Sequence, residues 1–387
     1  MKPLHILLVD PIAYAGGSKV ATARVLAMLD PNRTRVTIVT RDPDSWAATA
    51  ARTSPLFELD ALAGKDRGLG YFLRHFLIVF SLLWARIRHG RFERALGASG
   101  PGIDLSLYLA RRIFGYQIVQ LVHGPVACSR TIGRALESAD RVFYLESAAD
   151  SLLAALTTIR PAADVELKLD VVKFACFSNG LVAEQWPTPN RPAAKGIFWA
   201  ASLLKWKGLE TLIKSLQLLA PTMRPDTHIC YISPKDTNLE LGPGPVEIER
   251  VHWHENPANL DQIRADCDIF VSTSKNEPFG LSILESMAAG LVILIPRDNA
   301  YWDQKLVDQE HCLKYRADDA EDLTLKILYL LQNPELVEQL ARQSRLLARQ
   351  YRAEQVYGEI VASLSEPDLP ASSPTADSGR TLDHAEI

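Results

Sequence analysis

The feature that most constrains this chain is an alternation that occurs twice. Apolar runs that stop at turns recur between segments with helical spacing. HILLVD (5–10) reads as a strand and 19–29 as a helix, followed by strands at RVTIVT (35–40), QIVQLVH (117–123), RVFYLE (141–146) and VVKFACF (171–177). After a loop rich in proline and asparagine, WPTPNRPAAK (186–195), the pattern restarts. GIFWAAS (196–202) is a strand, 209–219 a helix, and HICYIS (228–233), IFVST (269–273) and VILIP (292–296) are strands. Strands that alternate with helices imply a parallel sheet wrapped on both faces. Two such series imply two doubly wound, Rossmann-like α/β domains with a ligand cleft between them. The expected division is 1–184, 185–350, a helix over 351–364 that returns to the first domain, and a disordered polar tail over 365–387.

At 387 residues the chain exceeds one ordinary core. Its net charge of −4 lacks the basic excess of a nucleic-acid binder. Cys128, Cys176, Cys230, Cys267 and Cys312 form neither a CxxC nor a Cys/His metal spacing, so they read as reduced, small core residues of a cytosolic protein. The apolar N-terminal run ends at Asp10, too early for a signal peptide.

FLIVFSLLWA (76–85) is the longest apolar stretch, too short to span a bilayer, which needs about 20 residues. Lys65, Arg67 and Arg74 precede it, and Arg86, Arg88, Arg91 and Arg94 follow. Two readings stay open: a buried helix of the first domain, or an interfacial helix that meets anionic lipid.

Open parallel sheets bind ligands beyond the carboxyl ends of their strands. That rule selects four loops. In AGGSK (15–19), Gly16 and Gly17 let the backbone approach a ligand, and the helix behind them offers unpaired N–H groups. A plain structural turn is the competing reading, and the loop is not a GxGxxG dinucleotide fingerprint. In HGP (123–125), His123 ends a strand, where it is either a core histidine or a hydrogen-bond donor to a sugar hydroxyl. In KWKG (205–208), Lys207 opens a helix against its dipole, a conflict that a bound phosphate relieves; a solvated surface lysine is the alternative. In NEPFGLSILE (276–285), Glu277 precedes a helix that begins near Gly280, and Glu285 lies about one turn inside it. N–H groups near Phe279, Gly280 and Leu281 suit a diphosphate, Glu285 a vicinal diol, and Glu277 a hydroxylated ring; two unrelated surface glutamates, with Glu277 favouring the helix dipole, are the alternative.

These loops together resemble glycosyltransferases of family 4, which have the GT-B fold. EPFGLSILE resembles the family's E-x7-E signature and SMAAGLVILIP the strand after it. AGGSK, LVHGP, SADRVFYLES, FSNGL and KWKGLETLI resemble further family segments, so the likeness covers most of 4–350 and is weakest over 45–115. The resemblance implies a retaining, metal-independent hexosyltransferase acting on a nucleotide sugar, with UDP- or GDP-sugar as substrate and no cofactor. The acceptor would be a saccharide or a lipid-linked saccharide, in cell-surface or exported polysaccharide synthesis. The place would be the cytoplasm or the cytoplasmic face of the membrane; membrane contact through 65–94 would follow only from the interfacial reading of the apolar helix. Glu277, His123 and Lys207 would be catalytic. Glu285, Phe279, Gly280, Leu281, Gly16, Gly17, Lys205, Ser202 and Asn179 would bind the donor.

Two positions depart from the family. Where an arginine usually precedes the lysine helix, this chain has Ala201 and Ser202, so either Lys205 or an arginine from elsewhere replaces it, or the chain has little transferase activity. Lys19 stands where an acidic residue is common. DPD (42–44) and DCD (266–268) are discounted as metal motifs, the first lying in a polar loop and the second running into a strand. The alternatives are another nucleotide-sugar enzyme on this scaffold, such as an epimerase, and a non-catalytic nucleotide-sugar-binding protein.

Overall fold

The computed structural model describes residues 2–13, 16–62, 64–65, 67–160, 173–191, 196–234 and 239–366. The first sheet is parallel and seven-stranded, in the order β3-β2-β1-β4-β5-β6-β7. Its strands are β1 (Leu4–Asp10), β2 (Thr34–Thr40), β3 (Arg52–Pro55), β4 (Arg94–Gly97), β5 (Gln117–Val122), β6 (Arg141–Leu145) and β7 (Phe174–Phe177). Helices α1 (Gly17–Ala27), α2 (Gly68–His89), α3 (Leu105–Phe114), α4 (Arg130–Ser138) and α5 (Ala149–Thr157) lie between them in the chain.

The second sheet is parallel and six-stranded, in the order β10-β9-β8-β11-β12-β13. It comprises β8 (Gly196–Ser202), β9 (Asp226–Ile232), β10 (Val251–Glu255), β11 (Ile269–Val271), β12 (Val292–Arg297) and β13 (Leu313–Arg316). Helices α6 (Leu209–Leu218), α7 (Leu260–Ala265), α8 (Leu281–Ala289), α9 (Tyr301–Lys305), α10 (Ala320–Gln332) and α11 (Pro334–Ala348) belong to this half. Then α12 (Ala353–Val356) and α13 (Gly358–Ser365) run back to the first sheet.

In both sheets the strand order reverses beside the first strand, at β1/β4 and at β8/β11. These reversals are the switch points where open α/β sheets take ligands. The inner strands are buried on both faces, so Ile6 to Val9 and Val292 to Ile295 are unbroken apolar runs.

The two halves share a core. One apolar cluster joins Ile6 and Phe177 of the first half to Phe279, Met287 and Ile293 of the second, through Leu181, Tyr351, Tyr357 and Ile360. The returning segment is stitched to the linker: Leu181 N–H donates to Tyr351 O at 2.9 Å, and Ala353 N–H to Leu181 O at 2.9 Å. Arg94 Nη2 donates to Glu366 O at 3.0 Å, which ties the chain's return to the first sheet. The linker is pinned to the second half, with Asn190 N–H on Ala289 O and Arg191 N–H on Ala265 O.

Several elements differ from the sequence reading. β3, β4, β10 and β13 have no counterpart in it, being four- or five-residue strands such as RALG and VHWHE with polar residues among the apolar ones. The strand expected over 171–177 begins at Phe174, and 171–172 lie outside the described residues. Linker residues 192–195 and tail residues 367–387 also lie outside them, whereas Ser365, placed in the tail, ends α13. Cys230, Cys267 and Cys312 are buried as expected, but Cys128 and Cys176 are exposed. Cys128 lies in the loop after HGP, and Cys176 on the edge strand β7.

Lys19 is explained by packing. Its ammonium is buried and meets Asp10 at 2.9 Å, Asp42 at 2.8 Å and Ile12 O at 2.7 Å. Asp10 Oδ2 also accepts from Thr40 and from the Trp46 indole. An acidic residue at 19 would place a third carboxylate beside two, so this departure follows from the local charge balance.

His75 lies on the inner face of α2, and neither ring nitrogen has a hydrogen-bond partner among the described residues. Burial, helped by Arg74, lowers its pKa to about 4. The unfolded chain therefore binds a proton near pH 6.5 that the native state refuses until about pH 4. Its contribution opposes folding as pH falls through that window and is constant below it. Urea titrations between pH 7 and pH 4 should show His75→Phe losing less stability than the parent, with a gap of about 3 kcal/mol at most; identical slopes would refute this.

Candidate active site

The KWKG and EPFG loops leave the carboxyl ends of β8 and β11, the two strands that flank the second switch point. They are tied together. Thr273 Oγ1 donates to Lys207 O at 2.8 Å and receives the Trp199 indole N–H at 3.0 Å. Lys275 N–H donates to Trp206 O at 2.8 Å. Gly208 has φ +66°, and a Cβ there would lie 2.1 Å from Thr273 O, so only glycine allows the approach.

This stitching aims Lys207 at Glu277. Their ammonium and carboxylate form a hydrogen-bonded ion pair with both side chains largely buried, and the ammonium also lies 3.9 Å from the centre of the Trp206 ring. Glu277 borders a shallow recess with Ser272, Ser274, Asp298 and Trp302. Asp298 holds the loop by accepting from Asn276 N–H at 2.8 Å, and burial raises its carboxyl above the usual range.

Gly280 caps α8 at φ 78°, and no side chain caps this end. Ile283 N–H donates to Gly280 O at 3.1 Å, which leaves the N–H groups of Leu281 and Ser282 at this end for an anion. The Phe279 ring does not face a ligand. It is buried against Tyr301 at 4.9 Å and Trp302 at 5.2 Å, where it anchors the turn, so only its backbone remains for donor binding.

The first domain meets this loop across the gap. Gly124 packs on the second domain, its Cβ direction pointing at Pro278 Cγ 3.7 Å away. His123 precedes it, at the end of β5. Both its ring nitrogens are sealed from solvent and lack partners among the described residues. Burial lowers its pKa to about 4, so the imidazole is neutral at pH 7. Gly16 is extended and Gly17 is the first residue of α1, so neither glycine serves a left-handed turn. Among the described residues, nothing lies within 4 Å of a Cβ at Gly17 and no side chain caps α1, so Gly17 leaves space there. Ala15 lies outside the described residues.

Glu285 occupies a different setting from the open one expected of it. Its Oε1 accepts from Arg24 Nη2 at 2.6 Å and its Oε2 from Arg264 Nη1 at 3.0 Å. Arg24 comes from α1 in the first domain and also reaches Gln185 and Gly180 O. Both arginines are buried. Two acceptors with about four lone-pair sites still leave room for a diol. Arg24, Arg264 and the positioning residue Thr273 escaped the sequence reading. Arg24 alone had a usable signal, since it stands seven residues after Gly17 and therefore on the same helix face.

Three expectations need correction or narrowing. Lys205 points away from Glu277: it pairs with Glu240 at 2.6 Å in the open and lines an outer hollow of about 380 Å³ with Glu210 and Leu241. Ser202 ends β8, half-buried, at the cleft side of the sheet. Asn179 is buried in the joint with the returning segment, where its Oδ1 has no partner among the described residues and its neighbour Gly180 donates to the Tyr357 hydroxyl. In the two DxD triplets, Asp42 pairs with Lys19 and Asp266 with Arg191.

Known proteins resemble this arrangement. Residues 184–347 match the family model for glycosyl transferases group 1. An uncharacterized glycosyltransferase of Haemophilus influenzae is 25% identical over 168 residues, covering 43% of this chain and 47% of that protein, so the chain spans about half the length of this curated relative. HepE of Anabaena, solved with UDP-glucose, superposes with a TM-score of 0.69 at 16% identity, over 94% of this chain and all of that one (100%). Sucrose-phosphate synthase of Thermosynechococcus elongatus superposes with a TM-score of 0.64 at 16% identity, over 93% and 97% of the two chains. The fold is the two-domain GT-B arrangement.

The Arg24–Glu285–Arg264 group joins the domains with three largely buried charges. Glu285→Gln should lower the unfolding free energy by about 3 kcal/mol, because the buried Arg24 guanidinium loses its carboxylate partner, whereas Arg264 keeps Asp261 at 2.6 Å. Arg24→Met should cost less, since Arg264 still neutralises Glu285. Urea denaturation of both variants checks the order, and the reverse order would contradict it.

Proposed function

We propose that this chain is a retaining, metal-independent glycosyltransferase that moves a sugar from a nucleotide sugar to a saccharide or lipid-linked saccharide. The observation that carries the reading is Lys207 held against Glu277 at the second switch point, beside the uncapped start of α8 and across from His123. The group 1 family match over the same half supports it, as does the fold shared with a protein solved with UDP-glucose.

In this reading the diphosphate lies between Lys207, the N–H groups of Phe279, Gly280 and Leu281, and the start of α1 at Gly16 and Gly17. Charge builds on the leaving oxygen as the bond to the sugar breaks, and donors already in place stabilise it there. Glu277 contacts the sugar on the face where the acceptor approaches. Neutral His123 gives or accepts a hydrogen bond to a sugar hydroxyl, and Glu285 takes the ribose diol on the lone pairs its arginines leave open. A UDP-sugar is the first donor to test, with a GDP-sugar next. No cofactor takes part. The setting is exported or cell-surface polysaccharide synthesis, in the cytoplasm or on its membrane face.

The vacancy at Ala201 and Ser202 favours a second reading, a protein that binds nucleotide sugar without transferring it. Lys205 does not fill that vacancy, which leaves Lys207 as the lone lysine at the diphosphate.

Melting temperatures in the presence of UDP, GDP and their sugars test the donor site, because ligands that bind only the folded form raise them. Lys207→Ala should reduce release of nucleoside diphosphate by about 10²–10³-fold, the usual loss of one transition-state donor. Lys205→Ala should leave it unchanged. A donor that raises the melting temperature without turnover for any acceptor would move the assignment to the binding protein. No shift with any nucleotide would remove both.

A further inference from the structure

The structure resolves the two readings of the long apolar helix by giving each a face. One side of α2 carries His75, Ile78, Val79, Ser81, Leu82 and Ala85, all buried, and its apolar members belong to the first domain's core. The other side is apolar and uncovered. Leu69 is 85% exposed, Phe76 57%, Phe80 51%, Trp84 48% and Ile87 79%, with Phe72 and Leu73 exposed beside them. Spacings of three and four place 69, 72, 76, 80, 84 and 87 in one row along the whole helix. The neighbouring α3 extends the surface with exposed Leu109 and Ile113.

We propose that this face docks in the plane of an anionic lipid surface. Charge selects that occupant. From Arg67 to Phe92 the chain contains no aspartate or glutamate. Exposed Lys65 and Arg67 stand at one end of the row and exposed Arg88 and Arg91 at the other, with Arg112 exposed on α3. The nearby carboxylate of Glu58 is buried and taken by Arg41 and Arg74. An amphipathic helix with basic ends and an aromatic-rich apolar face binds at the headgroup boundary rather than across the bilayer. Spanning is closed to α2, because its inner face is part of the domain core.

The docking has a consequence that rests on the transferase reading. Tyr71, in the first turn of α2, donates its hydroxyl to Gly102 O at 2.6 Å, in the loop beyond the carboxyl end of β4. The lipid-facing row therefore starts at the cleft edge of the first sheet, where a lipid-linked acceptor would enter from the membrane.

Co-sedimentation of the full chain with vesicles of phosphatidylglycerol and phosphatidylcholine tests the docking without reference to activity. The parent should bind these vesicles, bind pure phosphatidylcholine at least tenfold more weakly, and lose binding as salt rises. Phe76→Ser with Phe80→Ser should weaken binding at least tenfold, as should Arg88→Glu with Arg91→Glu. All four side chains are exposed, so melting temperatures should stay at the parent value, which separates lost docking from lost folding. A blue shift of tryptophan emission on vesicles should vanish in Trp84→Phe. Absent binding to anionic vesicles, or binding unchanged in both double variants, overturns the proposal. So does a concentration-dependent dimer that the phenylalanine pair abolishes without vesicle binding, which would make this face a contact between copies of the chain.

Discussion

Parallel strands cannot be joined by tight turns, so every strand must be followed by a crossover that returns the chain to the same edge. That constraint organises the molecule. It forces all loops that follow strands to one edge of each sheet, and the outward order from β1 and from β8 opens a crevice at β1/β4 and β8/β11. Residues 11–13, 123–125, 203–208 and 272–280 follow strands in this way, and the contact of Gly124 with Pro278 shows the two edges meeting. The shared apolar cluster and the returning segment hold the sheets in that relation, so the site is a product of topology before any polar residue is considered.

On this frame the buried charges act as one another's counter-ions. Lys19 balances Asp10 and Asp42 behind the Gly16–Gly17 loop, Lys207 balances Glu277 in front of α8, and two arginines balance Glu285 between the domains. Removing such a charge from water is costly unless a partner stands ready. The first two groups lie near the starts of α1 and α8, where no side chain among the described residues caps the helix. A diphosphate entering the gap would meet Lys207 already desolvated on one side, with its carboxylate partner able to turn to a sugar hydroxyl.

Most of the central framework was legible from sequence because burial on both faces leaves a plain mark. HILLVD, GIFWAAS and VILIP are unbroken apolar runs, and the helix 281–289 has its bounds set by glycines at both ends, each with positive φ. The edge strands β3 and β10 were not legible, since one side is unpaired and residues such as Arg52 and His252 can stay in solvent. β4 was missed for its length, although it is central. Within the site, Glu277, Lys207 and His123 were legible from their places beside strand ends. The setting of Glu285 was not, because its partners Arg24 and Arg264 are 261 and 21 residues away, and no local pattern records such a contact.

The two lysines of KWKG show how local geometry decides between like residues. Lys205–Lys207 is a single 3-10 turn, with about three residues per turn, so side chains two apart point about 240° from each other. Once Thr273 and Gly208 fix the turn against the end of β11, only one lysine can face the gap. Lys207 does, and Lys205 is carried outward to Glu240. Its ammonium is held there by Glu240 rather than by any group at the gap. On the proposed reading, the charge that a neighbouring arginine would supply would fall to backbone N–H groups at α1 and α8. Those are fixed partial charges near half a unit at most, so a leaving diphosphate would be stabilised more weakly there than beside a second full cation.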